Sequence, residues 1–319
     1  MRREFKPPTT RPEDFSAFWQ STLAQLEQIE PALESDAHLA AELPGVSAQI
    51  VSFVSLGHVR ISAYLLQWQD DQARPLVINS HGYGGRCRPR WDWAKQGVNV
   101  LSVDIRGFGL SAAALPNPSR WGYVLTGIET PETSVIRRAV CDYMQAARMG
   151  RQLCADRISK VVFEGVSFSG GLALMAQAIL GEADLLAIGV PTFGWAEGRN
   201  LFVKSGSGAE ISRYLAHRQD YLEDTMVVLR YFDAVNFADQ VNCPVLLALG
   251  LKDDVVPAKT VYGIANHLQV PYELIEFPVS HSDGPEEEQW EQFENYWLEL
   301  ALGGLPDEFG RKSLGRADG

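Results

Sequence analysis

Residues 161–172 contain closely spaced serines and glycines that are suited to nucleophilic chemistry. They are Val-Val-Phe-Glu-Gly-Val-Ser-Phe-Ser-Gly-Gly-Leu. An apolar strand that passes through a tight Gly/Ser turn into a helix is the context of a nucleophile elbow, in which a strained turn exposes a serine hydroxyl. The residues two positions before and after that serine must be small, because the strand and helix backbones nearly touch there. The segment therefore favours acyl transfer through a serine.

Two registers of this turn are possible. Ser167 can be the nucleophile, with Gly165 two positions before it and Ser169 two after, or Ser169 can be, with Ser167 before and Gly171 after. Neither register is a complete G-x-S-x-G motif, and a Gly/Ser-rich turn can also serve close helix packing alone. We favour Ser167, because a glycine at the preceding position best permits the tight approach.

A nucleophilic serine needs a base and an orienting acid, and the chain order in this kind of fold is serine, acid, histidine. Three histidines follow Ser167, namely His217, His267 and His281. His217 lies in a helical segment and His267 in an amphipathic helix, whereas His281 follows a strand, where a loop should leave the sheet. We therefore predict that His281 is the base.

The acid is expected after the strand that precedes the histidine strand. That strand ends in the sequence Gly-Leu-Lys-Asp-Asp, residues 250–254, so Asp253 or Asp254 could accept the His281 N–H and stabilise the imidazolium. An aspartate at this place can also cap the next helix, and one of the two could have only that role.

Two backbone N–H groups are needed to stabilise the oxyanion of the acyl intermediate. The residue after the nucleophile, Phe168, should supply one of them. The other should come from the loop His-Gly-Tyr-Gly-Gly-Arg at 81–86, with the Tyr83 N–H as the donor. His81 shapes this loop and precedes the serine in the chain, so it is not assigned as the base.

Alternating strands and helices must bring these groups together. Short segments typical of strands lie at 46–56, 58–68, 75–79, 98–103, 160–164, 184–190, 244–249 and 272–277. Helical segments lie at about 131–149, 170–180, 208–232, 258–268 and 285–301. This alternation predicts an α/β fold with a mostly parallel central sheet and helices on both faces.

One domain over 1–319 is expected, since the oxyanion loop, serine, acid and base must converge on one sheet edge. Its additions are an N-terminal helical arm at 1–45, a helical insertion at 192–240 that could cover the site, and a loose tail at 303–319. In the arm, Thr10 three residues before Glu13 is a capping-box spacing, which predicts that the first helix begins there.

Composition excludes several kinds of partner. The chain has 28 basic and 40 acidic residues, a net charge of −12, which argues against binding to nucleic acid or to an anionic membrane surface. Its four cysteines form no C-x-x-C pair, so neither a zinc site nor a disulfide framework is expected. The basic N-terminus has no apolar run after it, so no secretory signal is predicted. We expect a cytoplasmic protein without a metal or other cofactor.

Several strings in one order resemble the acetyl xylan esterase / cephalosporin-C deacetylase family of α/β-hydrolases. The segments that carry the resemblance are Pro12–Trp19, the loop 81–86, Asp104–Gly109 with Ser111, Gly127–Ile128, Arg137–Asp142, Tyr231–Ala234 with Asn236 and Ala238, and Gly250–Pro257 with Thr260–Val261. This resemblance spans about Phe15 to His281.

The resemblance implies a serine esterase with an α/β-hydrolase fold that removes acetyl or other short acyl groups, above all from carbohydrates. It selects Ser167, Asp253 and His281 as a catalytic triad and the N–H groups of Tyr83 and Phe168 as the oxyanion hole. It further implies a small-molecule ester substrate and a cytoplasmic homo-oligomer, commonly a hexamer.

The elbow departs from the family pattern Gly-Gly-Ser-Gln-Gly-Gly. Phe168 replaces the glutamine and makes the wall of the site more apolar, and Ser169 adds a side chain where the family has none. One alternative is therefore a carboxylesterase for more apolar short-chain esters. A second is a non-catalytic member with a binding or assembly role.

Overall fold

A computed structural model describes residues 3–203, 205–278 and 287–310, and in this part of the chain nine strands form one sheet. The strands are β1 (Glu34–His38), β2 (Val46–Ser55), β3 (Val59–Trp68), β4 (Arg74–Ser80), β5 (Asn99–Val103), β6 (Ile158–Val166), β7 (Leu185–Gly189), β8 (Val245–Gly250) and β9 (Tyr272–Phe277). Their order across the sheet is β1-β2-β3-β5-β4-β6-β7-β8-β9. The pairs β1–β2, β2–β3 and β3–β5 are antiparallel, and the other five neighbouring pairs are parallel. The predicted mostly parallel sheet is confirmed.

Helices cover both faces of this sheet. They are α1 (Phe15–Glu27), α2 (Trp91–Gln96), α3 (Val135–Cys154), α4 (Phe168–Leu180), α5 (Ala196–Phe202), α6 (Gly206–His217), α7 (Leu222–Arg230), α8 (Ala258–Ala265) and α9 (Glu287–Gly303). Phe163 of β6 packs in a core with α3 and α4, whereas its neighbour Val162 packs in another core with Phe293 and Trp297 of α9. Successive side chains of a strand point to opposite faces, so strands covered on both sides are apolar throughout.

The parallel strands match their predicted positions closely, and β9 coincides with the predicted 272–277. The strand β1 and the helix α2 were not predicted. All five residues of β1 are exposed on the sheet edge, so β1 has no apolar alternation to identify it. With only six residues, α2 is too short to show a helical period.

The capping box predicted at Thr10 and Glu13 is wrong. The helix α1 begins at Phe15 after Asp14, which makes no side-chain capping bond. The Thr10 N–H donates instead to Oδ1 of Asn236, at 2.9 Å. A contact distant in sequence therefore holds the segment before the helix in a non-helical path.

The insertion and the tail also differ in detail from their predicted form. The single helical run expected at 208–232 is two helices, α6 and α7, separated by a 3₁₀ turn at Gln219–Tyr221. In the predicted tail, Phe309 is buried against the α9 core, while residues 311–319 lie outside the described part of the chain. No helix in the described ranges is long and apolar enough to cross a membrane.

Candidate active site

Ser167 occupies the turn between β6 and α4 in a strained conformation. Its φ is 61° and its ψ −114°, a backbone shape that residues with a side chain rarely adopt. Its N–H donates to the Gly189 carbonyl at 2.8 Å, and its carbonyl accepts the N–H groups of Gly171 at 3.1 Å and Thr192 at 2.9 Å. These three hydrogen bonds hold the turn against the strain, which is the arrangement expected of a functional site.

Glycine is required at the places where strand and helix meet. A Cβ atom on Gly165 would lie 2.6 Å from the carbonyl oxygen of Ser169, and one on Gly170 would lie 2.9 Å from the carbonyl oxygen of Gly165. The small residues that identified the elbow in the sequence are therefore explained by sterics.

The two candidate serines have different surroundings. Ser167 is half-buried, and its hydroxyl lies 3.4 Å from the hydroxyl of Thr192. Ser169 lies inside α4, fully buried, and its hydroxyl has no hydrogen-bond partner among the described residues. Thr192 was not singled out in the sequence, where a lone threonine after a strand carries no signal.

The loop that carries Tyr83 is held by His81, which is buried. The His81 Nε2 accepts the Ile105 N–H at 3.2 Å, so its Nδ1 carries the proton and donates to the Gly82 carbonyl at 2.8 Å. Burial lowers the pKa of His81, which favours this neutral form. The loop-shaping role predicted for His81 agrees with these contacts.

Phe168 begins α4, and its N–H is one of the donors that a helix start leaves without an intrahelical acceptor. Its ring is fully buried in an aromatic cluster. The ring centroids of the cluster lie 5.6 Å (Tyr83), 5.8 Å (Phe193), 6.0 Å (Tyr123) and 6.2 Å (Phe108) from that of Phe168. The surroundings of Phe168 are thus strongly apolar.

Glu210 of α6 connects the insertion to the same loop. Its Oε1 accepts the Tyr83 hydroxyl at 2.6 Å, and its Oε2 accepts the Val124 N–H at 3.3 Å. Burial and the carboxylate together raise the pKa of Tyr83 well above its usual value. A Cβ atom on Gly122 would overlap with this carboxylate, so a side chain there would displace Glu210. Sequence reasoning missed Glu210, since one glutamate in a polar helix gives no signal of its partner.

The two candidate acids are also distinguished by burial. Asp253 is 8% exposed, and its Oδ1 accepts the N–H groups of Val255 at 2.9 Å and Val256 at 2.7 Å, whereas Asp254 is exposed. His281 lies outside the described residues. The strand before it, β9, ends at Phe277, whose carbonyl accepts the N–H of Leu251 at 2.8 Å. The Asp253 turn thus begins beside the end of β9.

Four residues of the candidate site follow the carboxyl ends of parallel strands, which lie on the same side of the sheet. Tyr83 follows β4, Ser167 follows β6, Thr192 follows β7 and Asp253 follows β8. Carboxyl ends of parallel strands are where open α/β sheets hold their ligands. Within the described ranges, no group of three or more His, Cys, Asp or Glu side chains could hold a metal ion.

The strand order, with a serine on a strained turn after β6, defines this protein as an α/β-hydrolase. A model of the acetyl xylan esterase (AXE1) family matches residues 2–299. The chain belongs to that family, and the predicted fold and resemblance are confirmed.

Individual relatives are distant. The chain is 22% identical over 287 residues to acetyl esterase Axe7A of Xylanibacter ruminicola. This match covers 86% of the chain and 64% of the length of that relative, so the chain spans less than two thirds of it. The structure superposes on an acetyl xylan esterase from Paenibacillus sp. R4 with a TM-score of 0.84 and 23% identity, over 94% of this chain and 98% of that one. Acetyl xylan esterase 1 from Thermoanaerobacterium sp. JW/SL YS485 gives a TM-score of 0.84 and 21% identity, over 94% and 97%.

Proposed function

We propose that this protein is a serine esterase that removes acetyl groups from carbohydrates through Ser167, His281 and Asp253. The Ser167 hydroxyl attacks the ester carbonyl while His281 takes its proton, and Asp253 holds the imidazole and stabilises its charge. The N–H groups of Tyr83 and Phe168 stabilise the oxyanion. His281 then protonates the departing sugar oxygen, which leaves as a hydroxyl group, and activates the water that releases acetate.

The observation that carries this proposal is the strained turn at Ser167. Nucleophile elbows store such strain to expose a hydroxyl above a helix N-terminus. Burial of Asp253 beside the end of β9 supports this aspartate over the exposed Asp254, because a triad acid is shielded from water. Family membership supports the acetyl group and the carbohydrate.

The proposal is tested with 4-nitrophenyl acetate and with acetate release from acetylated xylo-oligosaccharides. We expect both activities in the wild type and a fall of about 10⁴-fold or more in Ser167→Ala. Ser169→Ala is the matched control, because it removes the same atom two residues away and should keep most of the activity. The reverse order of the two variants would contradict the assignment, and no turnover of any short ester by the folded wild type would favour a non-catalytic role.

A second candidate is a carboxylesterase for more apolar short-chain esters, which the aromatic cluster around Phe168 favours. The two candidates differ in their acyl preference. A kcat/KM that falls from acetate through butyrate to hexanoate supports the deacetylase, and one that rises along the series supports the carboxylesterase.

We also propose that the enzyme is a homo-oligomer, with the hexamer that the family resemblance implies, and that it acts in the cytoplasm. The four cysteines are unpaired and three of them are buried, which is consistent with a reducing compartment. Light scattering that gives the single-chain mass of 35.3 kDa would contradict the oligomer.

A further inference from the structure

A cavity of about 710 Å³ lies between the loop 119–132 and the helices α6 and α7 of the insertion. Its lining includes three aromatic side chains, Trp121, Tyr214 and Tyr221. The volume is within the range of small-molecule sites. Neither Ser167 nor Asp253 lines this cavity, so the mechanism proposed above does not use it.

Trp121 lies in a loop that internal hydrogen bonds hold, and it packs against α6. Trp121 packs edge-on against Tyr214, with ring centroids 5.6 Å apart. The Ser119 hydroxyl accepts the Trp121 N–H at 3.2 Å, and the Thr126 hydroxyl accepts the Ser119 N–H at 2.9 Å. A site fixed in this way loses little conformational entropy when it binds a ligand.

Charged groups complete the lining. Glu129, Glu132 and Asp224 contribute carboxylates, and Arg218 contributes a guanidinium whose Cζ lies 4.1 Å from the ring centroid of Tyr221. Aromatic faces together with hydrogen-bonding groups suit a sugar ring, which has apolar C–H faces and a rim of hydroxyls. Three carboxylates against one guanidinium disfavour an anionic ligand.

The cavity is connected to the oxyanion loop through the segment 123–125 and Glu210. Leu125 lines the cavity, and its neighbour Val124 donates its N–H to Glu210, the carboxylate that also accepts the Tyr83 hydroxyl. The ring of Tyr123, in the same loop, lies 6.0 Å from the ring of Phe168. One short loop therefore contacts the candidate ester site on one side and the cavity on the other.

We infer that this cavity binds a neutral sugar ring of the oligosaccharide whose acetyl ester is cleaved at Ser167. The inference rests on the proposed esterase function, since it assigns a subsite to the same substrate. It predicts a preference for acetylated oligosaccharides over simple acetyl esters, and for neutral chains over those with uronic acid branches.

The activity test compares two substrates within each variant. Trp121→Ala should lower the ratio of kcat/KM for acetylated xylohexaose to kcat/KM for 4-nitrophenyl acetate about tenfold, a loss typical of removing an aromatic anchor. Trp91→Ala is the matched control, because this half-buried tryptophan lies on α2, packs against Val46 and Leu66 and does not line the cavity. It should leave the ratio unchanged. Tyr221→Ala, at a side chain 40% exposed, should lower the ratio severalfold without affecting the fold.

A binding test needs no turnover. In the Ser167→Ala background, calorimetry should detect unacetylated xylohexaose, with affinity lowered about tenfold by Trp121→Ala and severalfold by a glucuronic acid branch on the ligand. Unchanged ratios and unchanged binding in both the Trp121 and Tyr221 variants would overturn the inference while leaving the esterase intact. A wild type that hydrolyses neither ester would instead contradict the proposed function, and the calorimetry would still decide whether the cavity binds a sugar.

Discussion

The elbow at 165–171 and the insertion at 192–240 contribute to the same sheet edge, but different interactions hold them. In the elbow, backbone atoms touch so closely that Gly165 and Gly170 have no room for a Cβ atom. In the insertion, long polar side chains reach across the fold, as Glu210 does to Tyr83. The close backbone contacts restrict the conformation of the elbow. The insertion is held by separate side-chain contacts, so each contact can be removed by one substitution without removing the others.

Asp233 is the clearest example of a side chain that holds the insertion together. Its carboxylate accepts the N–H groups of Trp195, Ala196 and Val235, at 2.8, 2.7 and 2.9 Å, and so ties the start of α5 to the chain after α7. Burial raises the pKa of Asp233 to about 7, even though these three donors favour its charged form. One buried carboxyl group thus joins both ends of the insertion.

The largest effect is expected from a methyl group in the elbow. Gly165→Ala would drive a Cβ into the backbone of Ser169, so we expect unfolding to become easier by about 3 kcal/mol and esterase activity to be lost. Chemical denaturation measures the first effect. Gly303→Ala is the control, because its Cβ would meet no atom of residues 3–203, 205–278 and 287–310 within 4 Å, and its stability should change by less than about 0.5 kcal/mol. A stable, active Gly165→Ala variant would show that the elbow is not held by sterics.

A somewhat smaller loss of stability is expected in the insertion. Asp233→Ala leaves three backbone N–H groups without their acceptor, which should cost about 2 kcal/mol. Hydrogen exchange should show faster exchange at Trp195 and Ala196 but not in β6, because the contact is local to the insertion. Equal loss of protection in β6 would mean that the two regions unfold as one unit.

The strand that leads into the elbow carries a buried carboxyl, and this gives a pH test. Burial raises the pKa of Glu164 to about 8, while Arg90 opposes the shift and Glu294 adds to it. Between the unfolded pKa of about 4.3 and 8, the folded chain keeps a proton that the unfolded chain has released. Stability should therefore fall as pH rises through this window.

Glu164→Gln removes this dependence, because glutamine does not titrate. We expect the variant to gain about 1.3 kcal/mol relative to the wild type between pH 6 and pH 7, measured by denaturation at both values. The same pH slope in both proteins would contradict the assignment to Glu164.

The smallest effect is expected where the insertion meets the oxyanion loop. Glu210→Ala removes the acceptor of the Tyr83 hydroxyl and should cost about 1 kcal/mol in stability, with a loss of severalfold in kcat as the loop loosens. Tyr83→Phe removes the same hydrogen bond from the other side and keeps the backbone N–H. Combining the two changes should therefore cost less than the sum of the single effects, and full additivity would show that this contact does not position the loop.

Local and distant interactions also explain what could be predicted from sequence. The tight turn at Ser167 could be predicted because the small residues Gly165 and Ser169 flank it at the spacing that a close strand–helix contact requires. The parallel strands were found because burial on both faces makes each one continuously apolar. The spacing of small residues and the apolar runs can each be recognised within about ten consecutive residues of the sequence.

Predictions that depended on distant partners failed or were not made. Thr10 does not begin α1, because Asn236 binds its backbone, and Glu210 gave no sign that it contacts Tyr83. The choice between Asp253 and Asp254 could not be made from their adjacent positions, since only packing distinguishes the buried residue from the exposed one. A single sequence does not show which side chains meet across the fold.

The central claim is that Ser167 is the nucleophile, and covalent labelling tests it most directly. Diethyl 4-nitrophenyl phosphate transfers its diethylphosphoryl group to an activated serine and releases nitrophenol. Fragmentation of the peptide that holds both serines separates Ser167 from Ser169, because Phe168 lies between them. We expect one label per chain, on Ser167. No label should form when the protein is denatured before the reagent is added. A label on Ser169, or no label on a folded and active enzyme, would contradict the account.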